Sequence, residues 1–423
     1  MTYGMSLTST PLDRERLRDH VLVTIWFFVT FKQFRYDELI LYPLALYFAW
    51  AFIRDFNLIF PIMMRSLLLL AFPLWWMLSA LWGIETGLIL KSGAQMFLTV
   101  MICYAAIVRL NERDLILSMI IVATWFAILS FLVTVSGSGL AARGVFSSKN
   151  TMGMAMVILW LASLCVLLDT KRQWWLRLGA IGAALLAAFQ ITVANSATAV
   201  LLAAGVTVSV LIVGGLPKTG LLKHPVFVGL LMALTAVIFF LAASFLSYNT
   251  VAPTTLVLEA FGKDASLTGR TDLWRYAIEQ IKEAPLLGVG AGGFWTPLDG
   301  STPARRIYDE FYKAYYATFS FHNAYFEITV HQGLIGLGIV ITTVFWMLWR
   351  LGLDVVARNS IPTTFFVTIG FVNLASSMTE SALFTPFSLL SVLFTMGAFL
   401  SVKNSRALRD HVHSYQRSVP VTS

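Results

Sequence analysis

Residues 323–349 read NAYFEITVHQGLIGLGIVITTVFWMLW, a long apolar run with polar residues near its start. The run exceeds the roughly 20 apolar residues that a helix needs to cross a bilayer. Asn323, Glu327 and His331 follow at four-residue intervals, so they share one helical face. Ionisable groups inside a span are costly and usually face a cavity or a partner. The run therefore predicts a membrane helix with a polar site at one end.

The rest of the chain has the same apolar character. Of its 423 residues, 58% are hydrophobic and only 12% are charged, whereas a soluble domain is nearer half apolar and a quarter charged. We therefore predict an all-α, polytopic integral membrane protein. Apolar runs near bilayer length predict about twelve spans. Their approximate positions are 20–34, 38–53, 65–82, 88–108, 114–135, 150–168, 175–194, 196–214, 225–246, 323–349, 361–379 and 383–402.

We treat residues 1–423 as a single transmembrane domain with one large loop, residues 247–321, between the ninth and tenth spans. Within this loop, SLTGRTDLWRYAIEQIKEAP (266–285) predicts a helix that begins at Thr271 or Thr268 as N-cap and ends before Pro285. Cys103 and Cys165 both lie in apolar runs, which indicates packing residues and no disulfide framework.

The distribution of basic residues predicts the orientation. An even number of spans puts both termini on one side, and that side then holds the majority of the 30 lysines and arginines. The short loops on the other side hold only Lys32, Arg35, Lys91, Arg143 and Lys149. The positive-inside rule therefore predicts cytoplasmic termini, an external loop 247–321 and a first span that is retained. This bias explains the net charge of +8 without a nucleic-acid partner and favours contact with anionic membrane lipids.

The glycine run PLLGVGAGGFW (285–295) suggests a phosphate-binding fingerprint, but that motif requires a preceding strand and a following helix. Close backbone packing, or approach of a glycan, is the better interpretation. Asp37 and Glu38 form an acidic pair that could hold a metal or act as a base. Neither a HExxH nor a DxD motif occurs in the chain. We therefore predict no metal and no cofactor.

Arginines in the loops predicted to lie outside are a second indication of a functional site. Arg143 and Arg270 are flanked by glycine and apolar residues, and the planar guanidinium suits phosphate oxygens. They predict an anionic lipid phosphate as ligand, although each could be a solvated loop charge, the interpretation we prefer for Arg305 and Arg306. Glu380 is expected to pair with an arginine.

The polar residues of the opening run also have purely structural interpretations. Asn323 could cap the helix beside a water-facing His322, and Glu327 could simply pair with His331.

Four segments occur in an order that resembles the O-antigen ligase and polymerase superfamily, nearest to bacterial exopolysaccharide polymerases. They are ARGVFSSKNTMG (142–153), LTGRTDLW (267–274), PLLGVGAGGFW (285–295) and HNAYFEITVHQGLIGLG (322–338). The resemblance covers the chain from about Arg143 to Glu380. It implies a metal-independent, inverting membrane glycosyltransferase in the bacterial inner membrane. Its donor would be a glycan on undecaprenyl pyrophosphate, presented at the periplasmic face.

The family's catalytic histidine falls on His322 and its two arginines on Arg143 and Arg270. Neutral imidazole can accept the proton of a sugar hydroxyl near pH 7, and two guanidiniums can stabilise a departing pyrophosphate. His322 could instead donate a hydrogen bond to the pyrophosphate. The further residues predicted to bind substrate are Asn323, Lys149, Arg305, Arg306, Trp274, Trp295 and Glu380.

Three functions remain open. A polymerase holds two lipid-linked glycans, which the basic residues Lys149, Arg305, Arg306 and Lys313 and the tyrosine-rich stretch 302–319 favour. A ligase transfers the glycan to lipid A core or another acceptor. A transporter without chemistry needs polar groups deep in several spans, and few are present. The expected partners are the lipid-linked glycan, a glycan or lipid acceptor, membrane lipids and a protein that sets chain length.

Overall fold

The computed structural model describes residues 11–32, 34–137, 140, 142–215, 226, 270–296, 302–315, 317–358 and 360–405, and these contain helices and turns without a β-strand. The helices are α1 (Pro11–Phe31), α2 (Glu38–Arg54), α3 (Phe56–Met64), α4 (Leu68–Leu78), α5 (Thr86–Arg109), α6 (Glu112–Val135), α7 (Lys149–Leu168), α8 (Trp174–Ala194), α9 (Ala197–Gly215), α10 (Arg270–Glu283), α11 (Pro303–Glu310), α12 (Ala324–Arg358), α13 (Ile361–Ser377) and α14 (Leu389–Lys403). The all-α prediction is confirmed. The predicted span 225–246 and the loop 247–269 lie outside the described residues, apart from Val226.

Within the described residues, six helices are long and apolar enough to cross a membrane, namely α5, α6, α7, α8, α9 and α12. The pair α2 and α3 meets the same test only together, across a bend of 85°. Three shorter apolar helices, Leu68–Leu81, α13 and α14, accompany them. The chain is therefore a multi-pass membrane protein, and the total of twelve spans stays a prediction.

The structure differs from the prediction after the second span. Residues 54–64 were expected to connect two spans, but Phe56–Met64 form α3. The carboxylate of Asp55 contacts Arg54 at 3.1 Å and Arg109 at 2.7 Å, which fixes the turn between the two helices. Because α3 buries Ile59 and Ile62, this connection packs against the bundle through an apolar face.

The long helix α12 is broken at Gly333, where φ is 67° and ψ is −176°. Segment 285–295 runs beside the break: the N–H groups of Leu334 and Val289 donate to the carbonyls of Pro285 and Val330 at 2.8 Å and 3.0 Å. A Cβ at Gly333 would lie 1.9 Å from the carbonyl oxygen of Leu286. Glycine is therefore required, since only glycine adopts this backbone freely and leaves room for the segment.

The same segment also contacts the first half of the bundle. The indole N–H groups of Trp75 and Trp82 donate to the carbonyls of Gln332 and Leu287, each at 3.2 Å. A Cβ added at Gly290 would lie 2.4 Å from the Cα atom of Gly83, so a side chain has no space there. The glycine run is thus a packing segment, as expected, and the break in α12 is covered by backbone and indole groups.

Two groups of buried apolar residues organise the molecule. The larger one fills the bundle of long helices. The smaller one consists of Leu273, Tyr276, Ala277, Phe294, Ala304, Ile307, Tyr308, Phe321 and Val330. It joins α10, α11 and the glycine segment to the beginning of α12. We call this the outer unit, and it is the part of the fold that positions residues 320–323.

The first residue of the predicted loop helix differs from the prediction. The predicted loop helix is present as α10, but it begins at Arg270. Thr271 therefore lies inside the first turn and is not the N-cap, while Thr268 is outside the described residues. The helix ends at Glu283, before Pro285 as predicted, because proline cannot continue the hydrogen-bonding pattern.

Candidate active site

The turn before α12 is held by a side-chain cap. The Asn323 side-chain oxygen accepts the N–H groups of Tyr325 and Phe326 at 3.0 Å and 3.2 Å. Its amide nitrogen donates to the carbonyl of Met378 at 3.3 Å. Asn323 therefore caps the helix and ties it to the end of α13, which is the structural alternative expected from the sequence.

His322 has a left-handed backbone with φ of 50°, a conformation that costs energy for a residue with a Cβ. The neighbouring residue, Phe321, is fixed on both sides. Its N–H donates to Glu327 at 2.9 Å, and its carbonyl accepts the indole N–H of Trp274 at 3.0 Å. Such strain persists where the surroundings determine the backbone, and it is frequent at functional sites. The His322 side chain keeps 38% of its surface exposed.

Glu380 lies beside His322, with its Oε2 atom 3.9 Å from Nδ1 of the imidazole. This distance exceeds hydrogen-bonding range. The Nδ1 atom is buried and makes no hydrogen bond within the described part of the chain. A small movement of either side chain would therefore create a direct contact between the carboxylate and the imidazole.

Arg270, the first residue of α10, faces the same carboxylate. Burial lowers the pKa of its guanidinium, and the attraction of Glu380 offsets part of that effect. Arginine nonetheless stays charged in proteins. The half-buried positive charge is thus only partly compensated, an arrangement that favours an anionic ligand. Glu380 thus lies 3.9 Å from His322 and also attracts Arg270, while a direct ion pair between Glu380 and an arginine stays a prediction.

Arg143 lies in the connection between α6 and α7 and is exposed. The connection is anchored by Phe146, which is buried against the rings of Phe31 and Phe126 with centroids 6.2 Å and 6.1 Å away. The Arg143 side chain forms no hydrogen bond or ion pair with any other residue that the structure describes, and none of its contacts joins it to His322. Its convergence on the site stays a prediction.

The other residues predicted to bind substrate are two tryptophans and three basic residues. The indole N–H groups of Trp274 and Trp295 are engaged within the protein, by Phe321 and by Glu327 at 2.7 Å. Lys149 begins α7 and is half-buried, and Arg306 is exposed on α11. The Arg305 guanidinium lies over the ring of Tyr315, 5.1 Å from its centroid.

Glu327 is the residue that sequence reasoning described least completely. Its expected pairing with His331 is present, with Oε1 3.1 Å from Nε2. The contacts with Trp295 and with the N–H of Phe321 were not foreseen. The four-residue spacing indicated the first contact, but no local pattern signals a bond between residues 32 positions apart.

The acidic pair considered for metal binding lies elsewhere. Asp37 and Glu38 line a cavity of about 160 Å³ together with Tyr42 and Gln95. Among the residues that the structure describes, no group of three or more His, Cys, Asp and Glu side chains is arranged to hold a metal ion.

These elements define a multi-pass helical membrane protein with a histidine and a half-buried arginine beside one carboxylate. A family model described as O-antigen ligase (Wzy_C) matches residues 182–341, which include Arg270 and His322. The chain is also 31% identical over 351 residues to the exopolysaccharide production protein ExoQ of Rhizobium meliloti (strain 1021), covering 80% of this chain and 78% of the relative. The chain belongs to the O-antigen ligase family, which confirms the resemblance carried by the four motifs.

Proposed function

We propose that this chain is a membrane glycosyltransferase that transfers a glycan from undecaprenyl pyrophosphate to an acceptor hydroxyl at the periplasmic face of the bacterial inner membrane. The observation that carries the proposal is the position of His322 beside Glu380, whose carboxylate also attracts the half-buried Arg270. The membership of the O-antigen ligase family supports a ligase or polymerase of glycans as the class of activity.

In the proposed reaction, the acceptor oxygen attacks the anomeric carbon while the bond to the pyrophosphate breaks. The leaving pyrophosphate takes the electron pair, and the hydroxyl proton passes to the His322 imidazole. A general base of this kind contributes roughly 10²–10⁴-fold to the rate. Attack from the face opposite the leaving group inverts the anomeric configuration. Glu380 then stabilises the imidazolium that forms, since its carboxylate lies 3.9 Å away.

Two guanidiniums bind the pyrophosphate in this proposal. The half-buried Arg270 supplies one fixed positive charge, and the exposed Arg143 supplies the second from the connection between α6 and α7. Fixed charges that stabilise a leaving group contribute without reorganisation at the moment of reaction. We assign the activation of the leaving group to these arginines and require no metal ion for the step.

The proposal includes an orientation: about twelve spans, as bilayer-length runs predict, cytoplasmic termini and a periplasmic loop 247–321. A cysteine at the exposed Thr318, in a chain with Cys103 and Cys165 replaced by alanine, should react with an impermeant thiol reagent in intact spheroplasts. The matched control is a cysteine at the exposed Lys171, between α7 and α8, which should react only after permeabilisation. The reverse pattern of labelling would overturn the orientation.

A polymerase is the form of the activity that we favour over a ligase. The stretch 302–319 presents Tyr312 at 96% exposure and Tyr315 at 46%, and aromatic rings with hydroxyl groups bind the faces and edges of sugars. The Arg305 guanidinium lies over the Tyr315 ring, and Arg306 and Lys313 add positive charge to the same stretch, which suits a second lipid-linked glycan. The name of the relative, an exopolysaccharide production protein, agrees with a polymer as product.

Purified enzyme distinguishes the candidate functions. Given a single undecaprenyl-pyrophosphate repeat unit and no other acceptor, it should build a ladder of longer products, separable by gel electrophoresis. A ladder that broadens without limit would assign the control of chain length to a partner protein. If no transfer occurs until lipid A core or another distinct acceptor is added, the ligase replaces the polymerase. If no acceptor supports bond formation, the chain is a transporter.

A further inference from the structure

The carboxylate of Glu327 receives three donors from three different parts of the chain. Its Oε2 atom accepts the N–H of Phe321 at 2.9 Å, while Oε1 accepts the indole N–H of Trp295 at 2.7 Å and lies 3.1 Å from Nε2 of His331. The carboxylate thus connects the turn before α12, the glycine segment 285–295 and α12 itself. Only 18% of its side-chain surface is exposed.

The imidazole of His331 extends this arrangement. Its Nδ1 atom lies 3.2 Å from the carbonyl oxygen of Gly290, and its Nε2 atom faces Glu327. Both partners can accept a hydrogen bond, and a neutral imidazole has a single N–H, so the tautomer decides which of the two receives it. Only 6% of the histidine side-chain surface is exposed, so its position between the two partners is fixed by the surrounding structure.

The contacts of Glu327 indicate what this carboxylate positions. Phe321 directly precedes His322, whose left-handed backbone is fixed through the Phe321 peptide. The same carboxylate fixes Trp295 and, through His331, Gly290. Loss of the carboxylate would release the His322 turn and the glycine segment at the same time.

We propose that Glu327 is a positioning residue for His322, and that His331 acts with it as a hydrogen-bonding partner. Glu327 does not touch the substrate; it holds the imidazole where the acceptor hydroxyl is deprotonated. The catalytic part of this inference rests on the proposed function. The donor pyrophosphate is bound by Arg143 and Arg270, so loss of Glu327 lowers the rate of the chemical step and leaves donor binding intact.

The test compares Glu327→Gln with Glu112→Gln in full-length protein in lipid nanodiscs. Glu112 is a matched control: it is 13% exposed and pairs with Arg358 at 2.5 Å, at the end of α12 remote from His322. Misplacement of a reacting group by about 1 Å can cost roughly 10²-fold in rate. We expect kcat of Glu327→Gln to fall by about that factor with the KM for the donor unchanged, and Glu112→Gln to keep the kcat of the parent.

Hydrogen–deuterium exchange provides a readout that does not depend on activity. A peptide that contains the Phe321 amide should lose protection in Glu327→Gln and keep it in Glu112→Gln, because only the first variant weakens the acceptor of that N–H. If Glu327→Gln does not fold, Glu327→Asp serves in its place, since it keeps the charge opposite His331 but shortens the reach to Phe321.

The outcomes separate this inference from the proposed function. An unchanged kcat in Glu327→Gln, unchanged protection of Phe321, or a loss of activity that merely follows the folded fraction would overturn the positioning role. Full turnover in His322→Asn would instead overturn the proposed base, while the exchange of Phe321 would still decide whether Glu327 holds the turn.

Discussion

Replacing His322 by asparagine is expected to lower glycan transfer by roughly 10²–10⁴-fold, the contribution typical of a positioned general base. Asparagine is the appropriate replacement because it tolerates the left-handed backbone that His322 adopts with φ of 50°. The side chain is 38% exposed, so little packing is lost and the amount of folded protein should not change. Transfer is measured with purified enzyme and a lipid-linked repeat unit.

Tyr36→Asn is the matched control for this variant. Tyr36 also has a left-handed backbone, with φ of 72°, and is exposed. The Tyr36→Asn variant should retain the turnover of the parent enzyme. A His322→Asn variant with full activity would remove the imidazole from the mechanism.

The pH profile distinguishes the two roles open to His322. A base must be neutral, so the rate should rise with pH, and the rise should vanish in His322→Asn. A hydrogen-bond donor to pyrophosphate is most effective as the imidazolium, so the rate would fall as pH rises. The second pattern would reassign His322 to leaving-group stabilisation.

Substituting alanine for Gly333 should prevent the chain from reaching its native fold. The added Cβ would lie 1.9 Å from the carbonyl oxygen and 2.2 Å from the carbonyl carbon of Leu286, and both belong to backbone that cannot rotate away. The backbone of Gly333, with φ of 67° and ψ of −176°, adds about 1–3 kcal/mol for a residue with a Cβ. We expect the yield of monodisperse protein on size-exclusion chromatography in detergent to fall to background.

Gly338→Ala provides the comparison within the same helix. A Cβ at Gly338 meets no atom within 4 Å, so this variant should be extracted in the amount of the parent protein. Equal yields of the two variants would mean that segment 285–295 does not pack against the break in α12.

The membrane helices could be predicted closely because lipid leaves the backbone few alternatives. Every peptide group in the hydrocarbon region needs an internal partner, so a long apolar run forms a helix almost regardless of its details. The run 114–135, for example, became α6 at Glu112–Val135. Helix ends that carry charged residues were harder to predict. The apolar run ended at residue 349, but α12 continues to Arg358, where Glu112 and Asp354 pair with the guanidinium.

The candidate site was predictable in its residue types and only partly in its contacts. His322 was assigned through the resemblance to the O-antigen ligase and polymerase superfamily, and Arg270 was noticed because glycine and apolar residues flank it. The capping role of Asn323 could be stated only as an alternative to substrate binding, since an asparagine before a helix can serve either role. The break at Gly333 was not predictable, because GLIG within an apolar run fits a straight helix equally well. It depends on segment 285–295, which lies far away in sequence.

That separation has a consequence for biogenesis. Trp82 donates to the carbonyl of Leu287, a partner 205 residues later in the chain, and Trp75 donates to Gln332, 257 residues later. At a synthesis rate of about 5–20 residues per second, these acceptors leave the ribosome roughly 10–50 s after the two tryptophans. The first helices must therefore reside in the bilayer with unmatched indole donors until the segment arrives. A nascent chain arrested before residue 285 should accordingly remain accessible to membrane proteases and chaperones around α4.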